Sequence, residues 1–156
     1  MPRLVEHVLQ DVPLFDGLND ENMELLTGCA RNTRFSTGQY LFREGDAADF
    51  FYVVRHGSVS LELFVPTRGA VTIETIDPGE VLGWSWLFAP YRWHFDARAL
   101  STVRATSFDA GCLRMKCADD PELGYQLMGR FAQVLIERLQ WTRIRLLDLY
   151  GDSNRR

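Results

Sequence analysis

The chain is poor in the side chains that disulfide and metal chemistry need, with three cysteines and three histidines in 156 residues. Cys29, Cys112 and Cys117 are odd in number, and none stands in a C-x-x-C spacing. That argues against a disulfide framework and makes a reducing compartment the default. His7, His56 and His94 lie in separate segments without H-x-H or H-E-x-x-H spacing, so no metal site is expected, and His56 before Gly57 reads as a turn residue. A run of 18 apolar residues is also missing, which excludes an ordinary membrane-crossing helix. Arg3, Glu6 and His7 stand where a secretion signal needs an unbroken apolar stretch, so a cytoplasmic protein without membrane contact is expected. Basic excess is lacking too: Lys plus Arg is 17 against 21 for Asp plus Glu, a net charge of −4 and the wrong sign for work on phosphate backbones. No nucleophile stands beside a base, so catalysis is not expected.

What is present is enough for one packed domain over residues 1–156: 46% apolar and 24% charged residues. Three zones differ in hydrophobic period. Residues 1–32 read as short helices, with Leu4, Val8 and Leu9, then Met23, Leu25, Leu26 and Cys29, at helical spacing and Asn19-Asp20 as an amino-terminal cap. Residues 33–117 shift to a period of two, as in Phe50-Phe51-Tyr52-Val53-Val54 and Ser58-Val59-Ser60-Leu61-Glu62-Leu63, punctuated by glycines. This zone predicts a β barrel or sandwich, and Cys112 and Cys117 fall in a strand-like stretch of it, one as a core thiol and one as a surface thiol. Residues 121–150 return to the helical period, with Pro121 fitting the first turn and Gly151 the end.

Val12-Pro13-Leu14-Phe15-Asp16-Gly17-Leu18, then Phe35-Ser36-Thr37-Gly38-Gln39-Tyr40-Leu41-Phe42-Arg43-Glu44-Gly45-Asp46, then Phe51-Tyr52-Val53-Val54-Arg55-His56-Gly57-Ser58-Val59 follow one another along the chain. In order and spacing these segments resemble the cyclic nucleotide-binding domain of the catabolite-activator family of regulators. The resemblance implies a mainly β fold: a jelly-roll barrel with short amino-terminal helices and a long carboxy-terminal helix.

In that resemblance the ligand cassette is Gly79-Glu80-Val81-Leu82-Gly83-Trp84-Ser85-Trp86-Leu87-Phe88 with the segment through Ala99. A short helix there would offer its N–H groups to a cyclic phosphate. The family pattern places a glutamate directly after the second glycine, for the ribose hydroxyl, and an arginine about nine residues later, for the phosphate. Here Trp84 and Trp93 occupy those places, with Arg92 and His94 flanking the second. Loss of such charge-assisted contacts costs a factor of ~10² or more in affinity, so the ordinary cyclic nucleotide should bind weakly or not at all. Arg92 reads either as a pocket residue or as a solvated loop residue, and strand alternation leaves Arg98 free to point either way.

The expected pocket residues are Gly83, Trp84, Ser85, Trp86, Arg92, Trp93 and His94. Trp84, Trp86, Tyr91, Trp93 and Phe95 crowd this segment, so two readings stand: an aromatic-lined pocket for a flat or apolar ligand, or a pocket plugged by indoles. The candidate ligand is a cyclic nucleotide or another small molecule, aromatic ones included.

The last zone carries Met128, Ala132, Leu135, Leu139, Thr142, Leu146 and Leu149 at alternating spacings of 4 and 3, a coiled-coil seam, while Leu127, Phe131 and Val134 form a second stripe for the domain itself. A homodimer through Met128, Leu135, Leu139, Leu146 and Leu149 is expected. Arg130, Arg138, Arg143 and Arg145, balanced against acids on the same helix, read as a solvated face. The resemblance would continue into a helix-turn-helix DNA reader after this helix, but the residues beyond Tyr150 are too few for one, so no direct nucleic-acid partner is expected of this chain. The leading reading is a stand-alone, non-catalytic regulatory or sensor module acting through a still unknown protein partner. The runner-up is a structural dimerisation protein whose pocket tryptophan has closed.

Overall fold

A computed structural model describes residues 12–154, with side chains through Gly151. The helix expected around Leu4, Val8 and Leu9, and His7 with it, lies outside the described residues. Asn19 caps the next helix as its sequence suggests: its side-chain oxygen accepts from the Asn22 N–H at 2.8 Å, and α1 runs Asp20–Thr27. A 3-10 turn at Pro13–Phe15 precedes it and buries Leu14 and Phe15.

The period-two zone becomes eight strands: β1 (Ala30–Phe35), β2 (Tyr40–Phe42), β3 (Phe50–His56), β4 (Val59–Val65), β5 (Gly69–Ile76), β6 (Val81–Leu82), β7 (Asp96–Ala99) and β8 (Val103–Asp109). They form two four-stranded sheets, ordered β1-β8-β3-β6 and β2-β7-β4-β5, with all pairings antiparallel. Neighbours in space that are distant in sequence, such as β1 with β8, make the jelly-roll architecture. Turn chemistry follows the glycines: Gly57, between β3 and β4, has φ of +84°, and a Cβ there would collide with the Thr102 carbonyl. Inward residues Phe51, Val53, Val59, Leu61, Ile76, Leu82, Ala97, Val103 and Ala105 are nearly solvent-free and fill the space between the sheets.

Three boundaries differ from expectation. The strands begin at Ala30 and stop at Asp109, and the supposed strand around Cys112 and Cys117 is a helix, α2 (Ala110–Asp119). Asp109 is the reason, because its carboxylate accepts from the Cys112 N–H at 2.9 Å and caps a helix that buries Ala110 and Leu113 at helical spacing. The last helix, α3, spans Pro121–Asn154 and starts on Pro121 as expected, but it runs through Gly151, which keeps an ordinary helical backbone. At ~1.5 Å per residue this helix is about 50 Å long. Its first half docks on the domain through Leu123, Leu127 and Phe131, which are 2% exposed or less.

The cysteine expectation is overturned. Cys29 and Cys112 form a disulfide with their Cα atoms 5.8 Å apart, across 83 residues of sequence. Parity and spacing could not show it, since the pair meets only where β8 ends beside the start of β1; there the Asp109 N–H donates to the Cys29 carbonyl at 2.9 Å. The bond also removes the count-based argument for a reducing compartment. Cys117 remains a free thiol, half-buried, with its pKa raised by burial and then by Asp120.

Candidate ligand site

The cassette leaves the barrel at Gly83, whose φ of +101° suits only glycine, and a Cβ there would collide with the Trp93 ring. The edge of the Trp93 ring therefore abuts the Gly83 backbone; the residue is 4% exposed, and its ring face stacks on Phe42. Trp86 turns the opposite way into the core: it is solvent-free, stacked on Phe51 at 5.0 Å, and packed edge-on to Phe131 at 5.4 Å. Its indole N–H and the buried Ser85 hydroxyl lack hydrogen-bond partners among the described residues. Two of the three cassette tryptophans thus fill interior space.

The short helix expected to receive a phosphate is a single 3-10 turn, Ser85–Leu87, with Trp84 ahead of it and no side-chain cap. The anion-binding end that a longer helix would supply is not built here. Beyond it the chain passes a cis bond at Ala89–Pro90, and Tyr91 takes a φ of +56°. Tyr91 is held by Ala48, whose N–H donates to its carbonyl at 2.7 Å, and by the Arg114 guanidinium 4.5 Å above its ring. Arg114 also donates to the Trp86 carbonyl at 2.8 Å, so α2 braces the cassette from outside.

Arg92 and His94 are exposed, and Arg92 donates to the Gly45 carbonyl at 2.8 Å, tying the loop after β2 to the cassette. Arg98 points out of the barrel, opposite inward Ala97, and pairs with the Glu62 carboxylate at 2.8 Å. That bond and charge hold the Arg98 pKa above its ordinary value.

Trp84 alone of the three tryptophans borders open space. Its half-buried ring meets Phe95 edge-on at 5.8 Å and joins Leu61, Ile73, Leu135 and Arg138 around a cavity of about 450 Å³ between β4, β5 and α3. That volume falls within the ~300–1,000 Å³ typical of small-molecule sites. Arg138 is its principal polar group. The side chain is 12% exposed, its guanidinium stands 5.1 Å from the Trp84 ring centroid, one nitrogen donates to the Val81 carbonyl, and Nε lies 3.8 Å from Glu74. Its remaining nitrogen, Nη1, is buried and has no hydrogen-bond partner among the described residues. Burial lowers the Arg138 pKa, while Glu74 and Glu80 oppose that shift.

This corrects the reading of the helix arginines as a solvated face for two of the four. Arg138 faces the domain and half-buried Arg130 donates to the Leu14 carbonyl at 3.1 Å, whereas Arg143 and Arg145 are exposed, Arg145 donating to the Ile73 carbonyl at 2.9 Å. The signal was present, since Arg138 stands four residues after Val134 on the domain-facing stripe. Of the expected dimer residues, Met128, Leu139, Leu146 and Leu149 are 44–67% exposed, whereas Leu135 is half-buried against the cavity. Among the described residues no helix is long and apolar enough to cross a membrane, and no three His, Cys, Asp or Glu side chains are grouped to hold a metal.

The sequence is 28% identical over 145 residues to a "CRP-like cAMP-activated global transcriptional regulator" of Mycobacterium tuberculosis, a match covering 93% of this chain and 63% of that protein. The chain thus spans less than two thirds of the length of these curated relatives. Among solved structures it is similar to a candidate cyclic nucleotide-binding protein from Geobacter metallireducens, with a TM-score of 0.77, 27% identity, and coverage of 88% of this chain and 97% of that one. It also resembles the N-terminal domain of a transcriptional regulator from Streptomyces coelicolor, with a TM-score of 0.69, 29% identity, and coverage of 85% and 93%. The family model for the cyclic nucleotide-binding domain matches residues 32–120, more than half of the sequence, and every strand but the first two residues of β1 falls inside that match. The chain belongs to the cyclic nucleotide-binding domain family.

Proposed function

We propose that this chain is a non-catalytic sensor module whose guest is a small flat molecule rather than the ordinary cyclic nucleotide. One observation carries the reading: the cavity under α3 combines apolar walls with the Trp84 ring and the Arg138 guanidinium, which stands 5.1 Å from that ring's centroid. A flat guest carrying an acceptor group would suit both. The family's charged contacts are replaced by Trp84 and Trp93, and Trp93 fills the space over Gly83, which disfavours a cyclic phosphate.

The output runs through α3. Its carboxy-terminal half exposes Ile136, Leu139, Ile144, Leu146 and Leu147, an apolar face well suited to a second copy of the chain, with a further protein partner downstream. A guest that moves α3 alters that face, which is the physical form of coupling here. Thermal-shift and calorimetric screens with cyclic AMP, cyclic GMP, cyclic dinucleotides and flat heteroaromatic carboxylates test it. The last class should bind and stabilise the fold. Micromolar or tighter cyclic AMP binding overturns the altered-ligand reading.

The second reading, a structural dimerisation protein with a plugged pocket, draws on Trp86 and Trp93 packed on core residues. It predicts no stabilisation by any class in the screen, with the dimer intact.

A further inference from the structure

We propose that the Cys29–Cys112 disulfide is a thiol-exchange site, opened and closed by a low-molecular-weight thiol and its disulfide. The proposal stands apart from whatever occupies the cavity under α3. Both sulfur-bearing residues line a surface cleft of about 280 Å³, together with Arg31, Phe50 and Asp109. Cys112 is half-buried in the first turn of α2, and Cys29 is 7% exposed, so the bond is reached from the cleft without unfolding the barrel. Arg31 rests its guanidinium 5.1 Å from the Phe50 ring at the cleft wall, a positive group beside the approach of an anionic thiol. Asp109 also lines the cleft, where its carboxylate is engaged by the Cys112 N–H that it caps.

The chemistry balances within the named reactants. An external thiolate attacks one cysteine sulfur, the Cys29–Cys112 bond breaks, and a mixed disulfide forms while the other cysteine leaves as a thiolate and takes a proton. A second external thiolate attacks the mixed disulfide at the external sulfur, releasing the second cysteine. The protein disulfide gains two electrons, two external thiols lose them, and the reverse sequence with the external disulfide closes the bond.

The bond has reach because of what α2 touches. Arg114 holds the Trp86 carbonyl and covers Tyr91, and Lys116 donates to the Leu25 carbonyl at 2.7 Å. Closing the bond fixes the amino end of α2 to the start of β1 and thereby fixes the brace on the cassette. Opening it frees α2 at its capped end, and the Arg114 contacts loosen with it.

The test uses the full chain carrying Cys117→Ser, which leaves only this pair. Without reductant and without denaturant, mass spectrometry after alkylation should find no modified cysteine. Millimolar glutathione should open the bond in the native protein, giving two alkylated cysteines, a fall in Tm of about 10 °C and a change in tryptophan emission. Glutathione disulfide should restore all three readouts. Two reactive thiols in oxidising buffer, or a bond that yields to glutathione only after unfolding, overturns the exchange site. Opening without any change in Tm or emission overturns its reach to the cassette. A Cys29→Ser variant, if it folds, should show the open-state emission and no response to glutathione.

Discussion

The Trp93 indole and the Phe42 ring lie nearly parallel, 3.7 Å between centroids and 12° between planes, and the edge of the same indole abuts Gly83. One side chain thus bridges β2, the exit of β6 and the approach to β7, and it does so at the place where the family pattern has an arginine. Trp93→Ala should cost about 3–5 kcal/mol in urea unfolding, the range for deleting a buried large aromatic. Gly83→Ala should also destabilise, through its positive φ and through the ring above it. In the Trp93→Ala background the Gly83→Ala penalty should shrink, because the collision is gone. Strictly additive penalties would remove the indole from its place over Gly83.

Tyr52 supplies a pH dependence with a definite sign. Burial pushes its phenol up to about 12 from an ordinary 10, with Arg31 opposing the rise and Asp49 adding to it. A folded pKa above the unfolded one means that the unfolded chain ionises first as pH climbs. The contribution is complete below pH 10 and is lost on the way to pH 12, on the order of 2–3 kcal/mol. Urea unfolding between pH 9 and 12 should therefore show stability falling, and Tyr52→Phe should flatten that portion of the curve. An unchanged slope in the variant would assign the alkaline loss to other groups.

Arg138 separates the two functional readings. Arg138→Met keeps much of the volume and removes the unpaired Nη1. A guest that uses the guanidinium should lose about tenfold or more in affinity by calorimetry, equivalent to ~1.4 kcal/mol. A guest that binds the variant unchanged sits elsewhere. Stability should also fall, because methionine leaves the Val81 carbonyl and the Glu74 carboxylate without the guanidinium they face, so affinities are compared at a temperature where both proteins are folded.

The seam on α3 is tested by Leu139→Glu with Leu146→Glu, each residue being 50% exposed. Sedimentation at tens of micromolar should give a dimer for the natural sequence and a monomer for the double variant, with the far-ultraviolet circular dichroism spectrum preserved. Leu135 is a poorer probe than its heptad position suggests, because it is half-buried at the cavity and a charge there would disturb two things at once. A natural sequence that sediments as a monomer ends the dimer reading.

Glycine punctuation and period-two runs made the barrel legible, because a turn and its flanking strands are local in sequence. Gly57, Asn19 and Pro121 each do locally what their residue type suggests. The Cys29–Cys112 bond was invisible for the opposite reason: it joins residues 83 apart that meet through the β1 to β8 pairing. The three cassette tryptophans look alike in sequence, yet Trp86 faces the core, Trp93 covers Gly83 and Trp84 borders the cavity. Which way each points depends on the 3-10 turn and on the Tyr91 backbone, neither of which leaves a periodic trace. For Arg138 the charge suggests solvent, while its position on the apolar stripe places it against the domain.

The arginines that fasten helices to the barrel share one acceptor type. Arg114, Arg130, Arg138 and Arg145 donate to the carbonyls of Trp86, Leu14, Val81 and Ile73, and among the described residues Arg138 alone of the four has a carboxylate within 4 Å. A peptide carbonyl carries no net charge, so mobile ions shield these bonds far less than they would shield pairs of exposed ions. Helix docking on this barrel should therefore hold nearly constant from dilute buffer to molar sodium chloride, and a signal carried along α3 would read the guest rather than the ionic strength of its surroundings.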